Sequence, residues 1–109
     1  MDRAQIIQIL TNGSQKSWFK TGSSGDTADR MPGDRKYMFS NKDMKFSIWV
    51  CNNILKWECK ETYPWSLQYD IETHYTLFVN EKPCSFSFDK SLKILTLKLY
   101  HWQSPITLH

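Results

Sequence analysis

The sequence predicts a mainly β fold, an antiparallel eight-stranded meander or small barrel with one short N-terminal helix. From Lys36 onward, runs that alternate apolar and polar residues recur about every eight to twelve residues, and turn-forming residues separate them. Hydrophobic residues make up 40% of the 109-residue chain and aromatic residues 15%, which is enough for one packed core. We therefore expect a single domain over residues 1–109.

Capping residues predict the first element. Asp2 is a favoured N-cap residue, and Ile6 and Leu10 have the spacing of one helix face, which predicts a helix over about residues 2–10. Asn12-Gly13 then tolerates the left-handed conformation that ends a helix. We expect this helix to cover one end of the sheet.

A strand around Trp18 follows, and then a long connection. Residues 22–34 are rich in Gly, Ser, Asp and Pro, which is the composition of a loop. The meander is predicted over residues 35–100, with strands joined mostly by short turns.

The clearest hairpin in the meander is centred on Asn52-Asn53. A two-residue turn at this position places Ile48 opposite Trp57 and Phe46 opposite Cys59, so that the large apolar residues share one side of the sheet. This agreement between the turn residues and the alternation predicts the register of the hairpin.

A second hairpin is predicted around residues 80–83. It places Leu77 opposite Phe86, and the following turn places Leu95 opposite Phe86 as well. Another strand is expected around Trp65, where apolar and polar residues again alternate.

The same register makes a prediction for the cysteines. Cys59 is expected on the apolar side and Cys51 on the opposite side, which disfavours a disulfide between them. Cys59 and Cys84 are therefore predicted to be small buried hydrophobic residues.

The sequence shows no catalytic or metal-binding constellation. The histidines, His74, His101 and His109, have no recognisable nucleophile nearby in sequence, and there is no Cys-x-x-Cys, no His-x-x-x-His and no phosphate-binding glycine motif. We expect no enzymatic activity, no cofactor and no bound metal.

Charge and hydropathy disfavour nucleic-acid binding and membrane insertion. The net charge of +3 is too small for the basic stripe of a nucleic-acid-binding protein, so no nucleic acid is expected. The apolar runs are too short for a transmembrane segment. If Met1 is the natural start, a cytoplasmic location is expected; if Met1 replaces a removed signal, the location is periplasmic or secreted.

Trp49 departs from the apolar alternation of its strand. It is predicted to lie on the polar side beside Lys45 and Lys56, where an exposed indole can anchor a protein partner or stack on a base or sugar. The alternative is that the helix or the long loop covers it. The same two alternatives, an exposed binding residue or a covered one, apply to Phe78 and Trp102.

The segment Leu10-Thr11-Asn12-Gly13-Ser14-Gln15-Lys16-Ser17-Trp18 resembles the Leu-Thr-Gly-Ser-x-Lys-Thr-Trp type opening of small bacterial lipocalin-like domains common in Bacteroidetes. The similarity continues through residues 37–40, 65–67 and 92–97. This resemblance implies a β meander and ligand binding.

Two functions are consistent with these features. The first is a non-enzymatic, lipocalin-like binding module in which Trp18, Trp57 and Trp65 hold a small apolar or aromatic ligand at the open end of the barrel. The alternative is a protein-interaction module, such as an inhibitor or immunity-type protein, that docks through the exposed Trp49 face or through residues 22–34.

Overall fold

The computed structural model of the chain describes residues 1–20, 30–69 and 74–109. Its elements in chain order are α1 (Arg3–Thr11), β1 (Gln15–Phe19), β2 (Arg35–Ser40), β3 (Lys45–Cys51), β4 (Trp57–Tyr69), β5 (Tyr75–Val79), β6 (Lys82–Phe88), β7 (Leu95–Lys98) and β8 (Ile106–Leu108). One antiparallel sheet joins the eight strands in the order β1 to β8. The predicted mainly β meander with a short N-terminal helix is confirmed. Most of the loop predicted over residues 22–34 lies outside the described residues.

The last strand returns to the first one at a single point. Lys20 and Leu108 form an isolated antiparallel bridge, and Phe19 and His109 exchange two backbone hydrogen bonds of 2.8 Å. In the described part of the chain no longer ladder joins β8 to β1. The sheet therefore curves round on itself but is not closed into a barrel.

Both ends of α1 are capped as the sequence predicts. The backbone N–H of Gln5 donates to Oδ1 of Asp2 at 2.8 Å, and the Asp2 N–H donates to Oε1 of Gln5 at 2.9 Å, which forms a reciprocal capping box. Asn12 ends the helix in the left-handed conformation, with φ 49° and ψ 39°. The predicted helix is thus confirmed to within one residue at each end.

The helix packs its apolar side against the inner side of the sheet. Ile6 and Leu10 are buried, and the Trp18 indole N–H donates to the Leu10 carbonyl at 3.0 Å. At the other end of the helix, Nε of Arg3 donates to the Leu67 carbonyl at 2.8 Å. These two bonds fix the helix to β1 and to β4.

Large side chains fill the inner side of the sheet. Trp18, Phe39 and Phe46 have no exposed surface, and the Phe39 ring lies 4.8 Å from that of Phe46 and 5.2 Å from that of Trp65, measured between centroids. The apolar residues buried in this cluster are Ile6, Leu10, Trp18, Tyr37, Phe39, Phe46, Ile48, Trp65, Leu67, Leu77, Val79, Leu95, Leu97, Leu99 and Leu108. Their close packing supplies the main stabilisation of the fold.

The strand β4 differs most from its predicted extent. It is one strand of 13 residues that unites the separate strands predicted around Trp57 and Trp65. Its first part, through Pro64, pairs with β3, and its last part, from Trp65, pairs with β5. Pro64 lies where β4 changes from one partner strand to the other. Proline has no backbone N–H to donate, and the Pro64 carbonyl accepts from the Asn80 N–H at 2.9 Å. Two predicted strands thus become one, and β8, which lies beyond the predicted meander, brings the number of strands back to eight.

The predicted register of the β3–β4 hairpin is wrong. Phe46 lies opposite Tyr63 and not Cys59, and Ile48 lies opposite Glu61 and not Trp57. The ladder also shifts between Ile48 and Trp49, so that one step along β3 corresponds to two steps along β4. Such a bulge changes the phase of the alternation along the strands.

The longer turn of this hairpin explains the change. The Asn52 side-chain carbonyl accepts from the backbone N–H groups of Ile54 and Lys56 at 3.0 and 2.9 Å, and the Asn52 N–H donates to the Lys56 carbonyl at 2.9 Å. Leu55 takes the left-handed conformation, with φ 62°. The Asn52 side chain thus stabilises a wider turn than the two-residue one predicted from Asn52-Asn53.

In the second hairpin the predicted partners are wrong but the predicted sides are right. Asn80 and Glu81 form a tight turn, both with positive φ. Leu77 consequently lies opposite Cys84, and Phe86 lies opposite Leu97. Both registers differ from the prediction by an even number of residues, and an even shift keeps each side chain on its side of the sheet.

Replacement of the two tryptophans Trp18 and Trp57 tests this packing. We expect Trp18→Ala to lower the free energy of unfolding by about 3–5 kcal/mol, because it empties a buried site and leaves the Leu10 carbonyl without its donor. Trp57 is only half-buried, so Trp57→Ala should cost well under half as much. Equilibrium urea unfolding measures both changes.

Trp18→Phe provides a second, milder variant of the buried position. It keeps an aromatic ring and loses the indole N–H, so an intermediate loss of stability is expected. Equal losses for the Trp18 and Trp57 variants would contradict the assigned packing.

Candidate functional site

The three tryptophans predicted to hold a ligand do not lie together. Trp18 has no exposed surface, and Trp65 is 3% exposed. Both indole N–H groups are bonded to backbone carbonyls, that of Trp18 to Leu10 and that of Trp65 to Ser40 at 2.9 Å. Trp57 lies on the opposite, outer side of the sheet. Two of the three residues are therefore in the core, and the third is separated from them by the sheet.

An outer aromatic face surrounds one lysine on the first four strands. Phe19 pairs with Lys36, and Lys36 pairs with Trp49; residues that pair directly share a side of the sheet. The Lys36 Nζ lies 5.3 Å from the Trp49 ring centroid and 4.8 Å from that of Trp57. The Phe19 and Trp57 rings are 6.0 Å apart. We call Phe19, Lys36, Trp49 and Trp57 the outer aromatic face.

Trp49 lies on the outer side, as the sequence predicts, and it is half-buried. Its indole N–H donates to Oγ of Ser47 at 2.8 Å. The position of the indole is thus fixed by its own strand, and part of the ring remains exposed.

A second cation, Arg30, lies near Lys36. Burial, together with the nearby positive charge of Arg30, lowers the pKa of Lys36 below its usual value. The Nε of Arg30 is buried and has no hydrogen-bond partner. Among the described residues neither cation has an ion-pair partner, whereas Lys60 and Glu58 form a pair at 3.6 Å. The face therefore holds positive charge without a neutralising carboxylate in the described ranges.

Cys51 lies on the outer side of the sheet, as predicted, but Cys59 does not lie on the apolar side. Because of the register shift, Cys51 and Cys59 fall on the same outer side as Trp49, and it is Cys51 that is buried and Cys59 that is exposed. Cys84 is half-buried, and burial raises the pKa of its thiol. All three are free; the predicted reason against a Cys51–Cys59 disulfide, that the two residues lie on opposite sides of the sheet, is wrong.

An inner cleft of about 410 Å³ opens where the connection from β7 to β8 folds back over the first strands. The Tyr37 and Trp102 rings form one wall, with centroids 5.7 Å apart in an edge-to-face arrangement. The cleft is lined by Lys20, Arg35, Tyr37, Ile48, Glu61, His101, Trp102, Gln103, Ser104 and Ile106. It combines aromatic surface with charged side chains.

Charged side chains of both signs line the inner cleft. Lys20 and Arg35 contribute two cations, and Glu61 contributes one carboxylate. The Tyr63 hydroxyl donates to Oε1 of Glu61 at 2.5 Å, and this bond raises the pKa of Tyr63. One oxygen of the Glu61 carboxylate is therefore already occupied. Arg35 contributes hydrogen-bond donors only, whereas Gln103 and Ser104 can both donate and accept.

Sequence reasoning missed this cleft. The sequence pattern marked Trp102 only as an outward aromatic residue, His101 only as a histidine without a nearby nucleophile, and did not single out Arg35. No local pattern links these positions, because their proximity depends on how the residues between β7 and β8 fold back.

Within the described residues, no group of three or more His, Cys, Asp or Glu side chains is placed to hold a metal ion. No helix in the same ranges is long and apolar enough to cross a membrane. No family model matches this chain, and comparisons with curated proteins and with solved structures found no match.

Thiol reactivity tests the register of β3 and β4. We expect iodoacetamide to label Cys59 much faster than Cys51, because Cys59 is exposed and Cys51 is 1% exposed. Cys84 should also react slowly at neutral pH, since its raised pKa reduces the thiolate fraction. Peptide mapping by mass spectrometry after short exposures gives the three rates. Faster labelling of Cys51 than of Cys59 would restore the register predicted from the sequence.

Proposed function

We propose that this chain is a non-enzymatic, lipocalin-like binding module whose inner cleft holds a small aromatic ligand that carries an anionic group. The observation that supports this proposal most directly is the Tyr37–Trp102 wall beside the cationic side chain of Arg35. Concave sites with an apolar wall and a few convergent polar groups are the usual location of ligand binding.

The dimensions of the cleft favour a small ligand. Its volume of about 410 Å³ lies near the lower end of the range of about 300–1,000 Å³ found for ligand pockets. Trp18, Phe39 and Phe46 fill the interior on the inner side of the sheet. A ligand is therefore expected at the margin of this core. This proposal assigns the aromatic contact to Trp102, which packs on the buried Tyr37 ring, instead of to Trp18, Trp57 and Trp65.

The polar groups favour an anion on the ligand. Arg35 donates hydrogen bonds and accepts none, and its planar guanidinium can bind both oxygens of a carboxylate. Glu61 also lines the cleft, and one of its oxygens accepts from the Tyr63 hydroxyl. A negative group near Arg35 and an aromatic ring against Trp102 would satisfy both parts of the cleft.

Binding of 2-naphthoate, an aromatic carboxylate, tests the proposal by isothermal titration calorimetry. We expect Arg35→Gln to weaken its binding by about tenfold or more, because a charge-assisted hydrogen bond is lost. The neutral analogue 2-naphthol should lose little affinity in the same variant. Trp102→Ala should weaken the binding of both compounds.

Lys93→Gln is the matched control, because it removes one positive charge from an exposed turn between β6 and β7 and should leave both affinities unchanged. Absence of naphthoate binding would overturn the proposal. Equal effects of Arg35→Gln and Lys93→Gln would overturn the assigned role of the cation.

A further inference from the structure

The outer aromatic face has features that packing of the fold does not require. Phe19, Lys36, Trp49 and Trp57 are all half-buried, so each keeps exposed surface on the same side of the sheet. The Lys36 ammonium lies within 5.3 Å of two indole rings. A cation held between aromatic rings has already lost part of its hydration and part of its freedom to move.

The proximity of Arg30 to Lys36 is electrostatically unfavourable when no partner is bound. Arg30 and Lys36 are close enough to repel each other electrostatically, and the Arg30 Nε is buried without an acceptor. A buried donor without a partner costs free energy, and so do two like charges that are close together. An anion beside the two cations would offset their repulsion.

We infer that the outer aromatic face, together with Arg30, is a docking surface for an acidic peptide segment of a protein partner. A carboxylate of that segment accepts from Arg30 and Lys36, and its neighbouring aliphatic side chains pack on Trp49 and Trp57. This surface lies on the opposite side of the sheet from the inner cleft and does not depend on the proposed ligand.

Charge complementarity selects this class of partner. The site has two cations, and the whole chain has a net charge of only +3. Binding along a phosphate backbone uses a longer track of positive charge. Two cations flanked by three aromatic rings match one or two carboxylates within a partly apolar segment, as in other interfaces where aromatic residues and charged hydrogen bonds provide the anchors.

The test uses a capped peptide of glutamate and leucine, and the same peptide with glutamine in place of glutamate. Neither contains tryptophan, so the fluorescence of the protein reports binding to the full chain. We expect the glutamate peptide to change this fluorescence saturably and the glutamine peptide to bind at least about tenfold more weakly. Equal binding of the two peptides would overturn the inference.

Charge variants locate the binding. Lys36→Gln and Arg30→Gln should each lower the affinity for the glutamate peptide by about three- to tenfold. Lys93→Gln should leave this affinity unchanged. Arg35→Gln removes the adjacent charge on the other side of β2 and should affect 2-naphthoate only, which separates this surface from the inner cleft. If Arg30→Gln and Lys36→Gln both behave like Lys93→Gln, the inference is wrong.

Two further measurements separate docking from unfolding and from simple anion binding. Thermal unfolding of each variant shows whether the fold is intact; Lys36→Gln should change the melting temperature little, because the loss of two cation–π contacts is offset by the removal of a desolvated and repelled charge. Inorganic phosphate, added at the concentration of peptide that saturates the protein, should not displace the peptide. Displacement by phosphate at equal concentration would assign the site to free anions and overturn the docking role.

Discussion

The burial of Trp18 under the N-terminal helix is the interaction on which the rest of the structure depends. The indole has no exposed surface, and its N–H is bonded to the Leu10 carbonyl near the end of α1. One side chain therefore joins the helix, the first strand and the aromatic core. Since large rings occupy the inner side of the sheet, little interior volume remains at this end for a ligand. Binding surfaces are consequently expected at the margin of the core and on the outer side.

The wide turn and the bulge between β3 and β4 decide which residues reach the outer side. The Asn52 side chain bonds to two backbone N–H groups of the turn, and the bulge shifts the ladder by one residue between Ile48 and Trp49. Trp57 consequently leaves the core side and lies near Lys36 and Trp49. The local pairing in this hairpin thus decides that Trp57 lies on the outer side of the sheet and not in the core.

The strand β2 separates the two proposed binding surfaces. Arg35 lines the inner cleft, and Lys36, the next residue, lies between two indoles on the outer side. The alternation of side chains along a strand places consecutive cations on opposite sides of the sheet. A chain with a small net charge can in this way present positive charge at two separate places.

The sequence by itself determined the mainly antiparallel β meander, the limits of α1, and the inward side of residues such as Phe39, Phe46 and Leu77. These features depend on capping and on alternation, which act over a few residues and are visible in the chain. Only the tertiary structure decided the partner of each strand residue, the continuity of β4, the last strand and the inner cleft. The reason is physical: register depends on the hydrogen bonds of one turn, and the cleft depends on where the β7–β8 connection packs. Neither leaves a local pattern, and so Trp57 and Cys59 were predicted on the wrong side while Arg35 was not recognised.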